Sequence, residues 1–228
     1  MPAVTTTLRA LVFSAVASLA LTGCQTLDDA GRALGHAELV NEVAARMDEA
    51  MELTYTADYQ LVGGQTASIA QEQKPSRTSY TYPGGKLTVT KEATTECQTT
   101  DQPVCTLAAP PATGKPTVAV FTEAKRRGLV TPPVVMGMLT TAALDPAATI
   151  RQSDTTLAGF HATCVEVSQV ADPFSACVTN EGVLGSFTGT VEGKSVELAL
   201  TRYTTSVEPA AFEVPAGAGV VDRRPTEA

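Results

Sequence analysis

What most limits the fold of this chain is a period-two alternation broken by closely spaced turns. Tyr55, Ala57, Tyr59 and Leu61 alternate with Thr54, Thr56, Asp58 and Gln60. That is the pattern of a half-buried strand. Gly63-Gly64 then turns the chain into a second run, Thr66–Gln73, and Pro83-Gly84-Gly85 separates a third, Arg77–Tyr82, from a fourth, Lys86–Thr90. Thr94 to Ala108 adds a further hairpin. Turns spaced this regularly build an antiparallel meander. One face of its strands is rich in Thr and Ser, which predicts a sheet with a wet side and a dry side.

The pattern returns after Ala148. Ile150–Thr156, His161–Val167, Phe174–Thr179, Val183–Thr190 and Ser195–Thr205 are separated by Ala158-Gly159, Asp172-Pro173, Asn180-Glu181-Gly182 and Glu192-Gly193. Five strands with turn-length connections make a second meander. The only link between the halves is the short Pro-rich stretch from Pro110 to Pro116, so one continuous sheet is the simpler account. The tail from Glu208 is rich in Pro, Ala and Gly; Phe212 and Val214 are its candidates for docking, and residues 222–228 read as a disordered end.

Two segments have helical period. From Ala37, the apolar residues Leu39, Val40, Val43, Ala44, Met47, Ala50 and Met51 recur every three or four positions, with acids mainly off that face. This predicts an amphipathic helix of about four turns. Its methionines are read as core, not as cofactor ligands. The second begins at Thr131-Pro132-Pro133, with Thr as the cap and Pro in the first turn. Val134, Val135, Met136, Met138 and Leu139 make it apolar nearly all round, so it is buried or covers a cavity. Before it, the apolar run Val118–Phe121 leads into Lys125-Arg126-Arg127, read as a solvated loop, with a surface for lipid headgroups or an anionic ligand as the alternative.

The N-terminus says where the chain works. Residues 1–9 are polar and carry Arg9; Ala10 to Leu21 is an uninterrupted apolar and small-residue run, broken by Gly23. A dozen residues fall short of the roughly 20 that a membrane-crossing helix needs. Residues 1–23 therefore read as a signal peptide. Leu21-Thr22-Gly23-Cys24 is similar to a bacterial lipobox, which implies a diacylglyceryl group on the Cys24 thiol and cleavage before it. The alternative is an ordinary secretory signal that leaves a free thiol. Two acyl chains anchor stably at about 0.8 kcal/mol per buried methylene, whereas one holds only marginally. Residues 24–36 are then a lipidated tether.

Four further cysteines, Cys97, Cys105, Cys164 and Cys177, make an even number in an oxidising compartment and read as two disulfides. Three connectivities exist. Cys97 with Cys105 and Cys164 with Cys177 is favoured, because each pair brackets a turn signal, Asp101-Gln102-Pro103 or Asp172-Pro173. Each staple should stabilise by roughly 2 to 3 kcal/mol. The competing zinc site would rest on His161 and Cys164, one histidine with no second thiolate close by.

Charge and motifs exclude other classes. The formal charge is −8; loss of residues 1–23 removes Arg9 and no acid, giving −9. Nucleic acid is a poor partner for such a domain, and membrane attachment falls to the lipid. Gly185-Ser186-Phe187-Thr188-Gly189 lacks the spacing of a nucleophile elbow. Neither His36 nor His161 partners a nucleophile, and no phosphate-cradling glycine loop is present. The chain reads as neither an enzyme nor a metal or cofactor protein.

Lipobox, tether, N-terminal helix, meander, apolar helix and second meander, in that order, resemble the LolA-like family of envelope proteins, LprG-type lipoproteins included. The likeness extends over residues 37–221. It is carried by Leu157-Ala-Gly-Phe-His-Ala-Thr-Cys-Val-Glu-Val167 running into Cys177 and Gly182-Val-Leu-Gly185, and by Ala211-Phe-Glu-Val-Pro-Ala-Gly217. The Ala- and Thr-rich usage is similar to that of high-GC actinobacteria. The resemblance implies an α+β fold, a strongly curved antiparallel half-barrel with both helices on its concave face. It also implies a lipid-anchored protein on the extracytoplasmic face of the cell membrane. Two functions follow: binding or carrying a lipid, glycolipid or lipidated ligand in an apolar cavity, or acting as an RseB-like sensor or scaffold for another envelope protein. The cavity candidates are Val43, Met47 and Met51 on the first helix with Val135, Met136 and Leu139 on the second. Cys24→Ala is expected to release the protein from the membrane fraction or to block its processing; a variant that stays with membranes through a high-salt wash, as wild type does, excludes the lipid anchor.

Overall fold

In the computed structural model, residues 34–99 and 101–225 are described; Cys24, the leader and most of the tether lie outside them. Helix α1 covers 34–50. Its buried residues, Val40, Val43, Met47 and Ala50, repeat every three or four positions on one face. The chain is already helical at Leu34, within the stretch expected to be tether, and the helix stops before Met51. The stop is set from the sheet. The buried Gln71 side chain donates from Nε2 to the carbonyls of Ala50, Met51 and Leu53 at 3.1, 2.7 and 2.8 Å. The last carbonyls of a helix have no partner inside it, and here a strand side chain satisfies them.

The first meander is β1 (Tyr55–Leu61), β2 (Thr66–Gln73), β3 (Ser76–Tyr82), β4 (Gly85–Val89), β5 (Thr94–Gln98) and β6 (Val104–Ala108). Helices α2 (Val118–Arg126) and α3 (Pro132–Leu144) follow. The second meander is β7 (Thr149–Leu157), β8 (Phe160–Ser168), β9 (Phe174–Thr179), β10 (Leu184–Val191) and β11 (Lys194–Thr204), and β12 (Gly219–Asp222) ends the order. All twelve strands form one open sheet, β12-β6-β5-β4-β3-β2-β1-β11-β10-β9-β8-β7. Every pair is antiparallel except β12 with β6. Side chains of α1, α3 and both meanders share one core, with Met47, Tyr59, Leu139, Leu184 and Phe187 among its fully buried members.

The disulfides join directly opposed residues, Cys97 to Cys105 across β5–β6 and Cys164 to Cys177 across β8–β9, with Cα atoms 4.0 and 3.8 Å apart. Cys164 is thereby no thiolate, and no group of potential metal ligands exists among the described residues. At the far end the sheet bends. β7 and β11 are four strands apart, about 19 Å on a flat sheet, yet their Cα atoms come within 8 Å. Phe160 on β8 meets Tyr203 on β11 edge to face, with ring centroids 5.3 Å apart. Gly182, at φ +82°, brings the β9–β10 turn against α1: a Cβ there would lie 2.1 Å from the Arg46 carbonyl oxygen.

Four expectations need correction. The basic cluster Lys125-Arg126-Arg127 is not a loop but the end of helix α2, which begins in the apolar run at Val118: Val120 and Ala124, four apart, are buried, and Lys125 and Arg126 occupy the last turn, where the helix dipole favours them. Thr131 holds the cap position of α3 without capping it. Pro133 offers no N–H, the Val134 N–H goes to the Thr131 backbone carbonyl at 3.0 Å, and the buried hydroxyl has no partner. The Thr- and Ser-rich face is not wet throughout. Ser79 and Thr88 are buried, Phe212 sits under the Arg77 guanidinium at 4.2 Å, and buried Lys86 donates to the Glu213 carbonyl at 2.7 Å. Val214 stays partly exposed. Finally, the tail pairs beyond residue 221: Asp222 lies in β12 and the Arg223 N–H donates to the Leu107 carbonyl at 2.8 Å. Residues 226–228 lie outside the described ones.

No helix among the described residues is long and apolar enough to cross a membrane. Two stability tests follow. Gln71→Leu removes one donor from the Ala50, Met51 and Leu53 carbonyls; the Leu53 N–H still reaches Ala50 at 3.1 Å, and Gln73 Nε2 reaches Met51 and Leu53 at 3.0 and 3.1 Å. The expected cost in chemical denaturation is about 1 kcal/mol, and an unchanged midpoint would remove Gln71 as the helix stop. Tyr55, Tyr59, Tyr80 and Tyr82 are buried in the core. Burial pushes the first three hydroxyls well above the usual range and that of Tyr82 up to about 12. An unfolded tyrosine ionises near pH 10, so above that pH the unfolded chain holds fewer protons than the folded one and stability falls. Each such tyrosine contributes up to about 1.4 kcal/mol per pH unit. The absorbance of these four tyrosinates should therefore rise together with loss of fold; Tyr203 is only half-buried, so a rise greater than one tyrosinate in the still-folded protein would contradict the burial.

Candidate functional site

α3 is apolar all round because it serves two surfaces. Val135, Leu139 and Ala142 turn toward the core, the first two with no exposure. Its other faces form one wall of a cleft of about 670 Å³. On that wall stand Pro133, Val134, Gly137, Met138 and Thr141, together with the edge of Ala142. α2 supplies the opposite wall through Val118, Phe121, Thr122 and Lys125. The β8–β9 loop closes one end with Val170, Ala171, Asp172 and the ring of Phe174, and Asp145 stands just past the end of α3.

The polar residues of the walls are fewer than their names suggest. The Thr122 hydroxyl donates to the Val118 carbonyl at 2.9 Å, and that of Thr141 to the Gly137 carbonyl at 2.9 Å. A threonine hydroxyl bonded back four residues along its own helix has no need of a ligand. The cleft therefore presents chiefly hydrocarbon, and its volume lies within the range of small-molecule sites. At Gly137 a Cβ would meet nothing within 4 Å, so the helix surface there opens on empty space. Val118, on the rim, is 79% exposed. A smaller hollow of about 220 Å³ lies between α2 and the β4–β6 strands, bordered by Leu87, Val120 and Glu123.

None of the six residues expected to line a cavity lines this cleft. Val43, Met47, Val135 and Leu139 are fully buried in the packed core, and Met136 packs half-buried against it. Met51 is half-buried in the turn after α1. The expected helix is the right one, but its cleft face is set one residue away from the expected positions: Val134 and Met138 rather than Val135 and Leu139. α2, its basic end expected as a loop, carries the facing wall. Its cations are all engaged: Lys125 Nζ is 2.7 Å from Glu192, Arg126 pairs with Glu123, and Arg127 pairs with Glu96 at 3.0 Å and Glu123 at 2.8 Å. Cys24 lies outside the described residues.

The sequence matches no protein-family model and no curated protein. Among solved structures it is similar to MucB in complex with MucA(peri), at 13% identity and a TM-score of 0.44, over 80% of this chain and 61% of that one. It is also similar to an uncharacterized conserved protein from Thermus thermophilus, at 13% identity and 0.46, over 80% and 98%. LprF from Mycobacterium bovis aligns at 11% identity and 0.38, over 78% and 98%.

Proposed function

We propose that this chain is a non-enzymatic envelope lipoprotein that holds the apolar part of a lipid or lipidated ligand in the cleft between α2 and α3. Cys24 would carry the acyl anchor that keeps it on the extracytoplasmic face of the cell membrane. The observation that carries the reading is the cleft: about 670 Å³, walled by Val134, Met138, Phe121 and Phe174, with its threonine hydroxyls turned inward to their own helices. The bend that brings β7 near β11 supports a strongly curved, half-barrel form of the LolA-like kind. A second reading, a sensor or scaffold for another envelope protein, is favoured by β7. This nine-residue strand ends the sheet and pairs only with β8 among the described residues, so its outer edge can accept an added strand.

Gly137→Trp separates the two. The indole enters open space in the cleft, so lipid co-purifying with the protein, measured by mass spectrometry after mild extraction, should fall several-fold at an unchanged melting temperature. Leu139→Trp, in contrast, overpacks the core and should unfold the domain. If Gly137→Trp keeps its lipid, or if wild type carries none, the scaffold reading takes its place.

A further inference from the structure

The charged residues lining the cleft are Lys125, Asp145 and Asp172. The two acids repel an anion, and the base is already occupied. Lys125 Nζ lies 2.7 Å from Glu192 Oε1, with the lysine side chain only 24% exposed. Glu192 reaches it from the β10–β11 turn, where its backbone has φ 52°. The hydrogen bond from Lys125, and then its charge, hold the Glu192 carboxyl below the usual range. Arg126 and Arg127, next along the chain, are paired with Glu123 and Glu96. An anionic head entering here would therefore have to displace Glu192, give up its own hydration and stand beside two carboxylates. An uncharged head with hydroxyl groups need not displace Glu192, meets no like charge and gives up less hydration than an ion, and its hydroxyls can donate to the carboxylates at the rim.

We propose that the cleft selects uncharged apolar ligands, acyl chains bearing a neutral hydroxylated head such as an acylglycerol, over the same chains ending in a carboxylate or phosphate. Glu192 is the residue that sets this preference, by neutralising the one cation in the lining. Discrimination of this kind works by a repulsive element as much as by an attractive one. The inference rests on the lipid reading of the cleft given above.

The test uses two ligands with one chain, monolauroylglycerol and laurate. They compete at mildly alkaline pH, below their aggregation concentrations, for the neutral fluorophore N-phenylnaphthylamine bound to the purified, delipidated full chain. The glycerol ester should displace the probe at about a tenfold lower concentration than laurate, a difference of about 1.4 kcal/mol. Glu192→Gln frees Lys125 and should narrow the ratio to below about threefold by strengthening laurate. The double variant Lys125→Gln/Glu192→Gln should restore the preference, and melting temperatures verify that each variant is folded. Equal competition in wild type, or an unchanged ratio in Glu192→Gln, overturns the selectivity while leaving the cleft a lipid site. Probe fluorescence that is the same in wild type and Gly137→Trp instead removes the lipid reading, and the selectivity with it.

Discussion

Everything else in this molecule depends on the pairing of β1 with β11. Each meander alone is a ladder of local hairpins with one apolar face; the β1–β11 ladder makes them a single sheet over a single core. Thr56 meets Thr204 and Leu61 meets Leu198, so most of the chain lies inside the loop that this contact closes. Closing so long a loop costs entropy that grows only slowly with length. What offsets it is burial of Tyr59, Leu61, Leu198 and Leu200 on one face. A shift of register between Asp58 and Tyr59 tunes the pairing. Thr201 is the extra residue, and it lets Tyr59 with Leu200 and Ala57 with Tyr203 all turn toward the core. Without it, one of those pairs would point to solvent. Asp58 fixes the bulge, accepting from the Arg202 guanidinium at 2.7 Å and, through its carbonyl, from the Thr201 hydroxyl at 3.0 Å.

Once the sheet is joined, the helices divide the work. α1 packs lengthwise on the core and is stopped by Gln71. Gly182 marks where the second meander meets it, at a distance no side chain would permit. α3 packs on the core through Val135, Leu139 and Ala142, and its remaining apolar surface faces, among the described residues, α2 and the β8–β9 loop. The space between those two helices is the cleft. Its hydrocarbon character and its charge balance thus have one origin: an apolar helix set beside an amphipathic helix whose cations are all held by acids. Those acids, Glu96, Glu192 and Glu123, come from elsewhere in the chain or from one turn back, so the pairing of these cations is a product of the fold more than of the local sequence.

Much of the architecture was legible in residue order. Period-two runs broken by Gly-Gly, Pro-Gly-Gly and Asn-Glu-Gly turns give eleven strands near their observed limits, since hairpin registers are set by short turns. The cysteine pairs could be assigned because each flanks a turn and so falls on opposed positions. α2 was missed: nine residues after a Pro-rich link carry too few apolar positions for a clear helical period. β12 was missed because four residues in a Gly- and Ala-rich tail have no pattern of their own. It is a strand only through β6, Val220 lying beside Cys105.

The sequence by itself determined the meanders, the amphipathic stripe of α1, the apolar character of α3 and the net acidity. Each of these depends on neighbours a few residues apart, whose spacing is visible in the chain. The tertiary structure alone decided which face of α3 is core and which is cleft. Val135 and Val134 are equally apolar, and only the position of the sheet beneath the helix buries the first fully and leaves the second half-buried on the cleft wall. It likewise decided that Lys125 is paired, because Glu192, distant in sequence, reaches it only after β10 and β11 have folded.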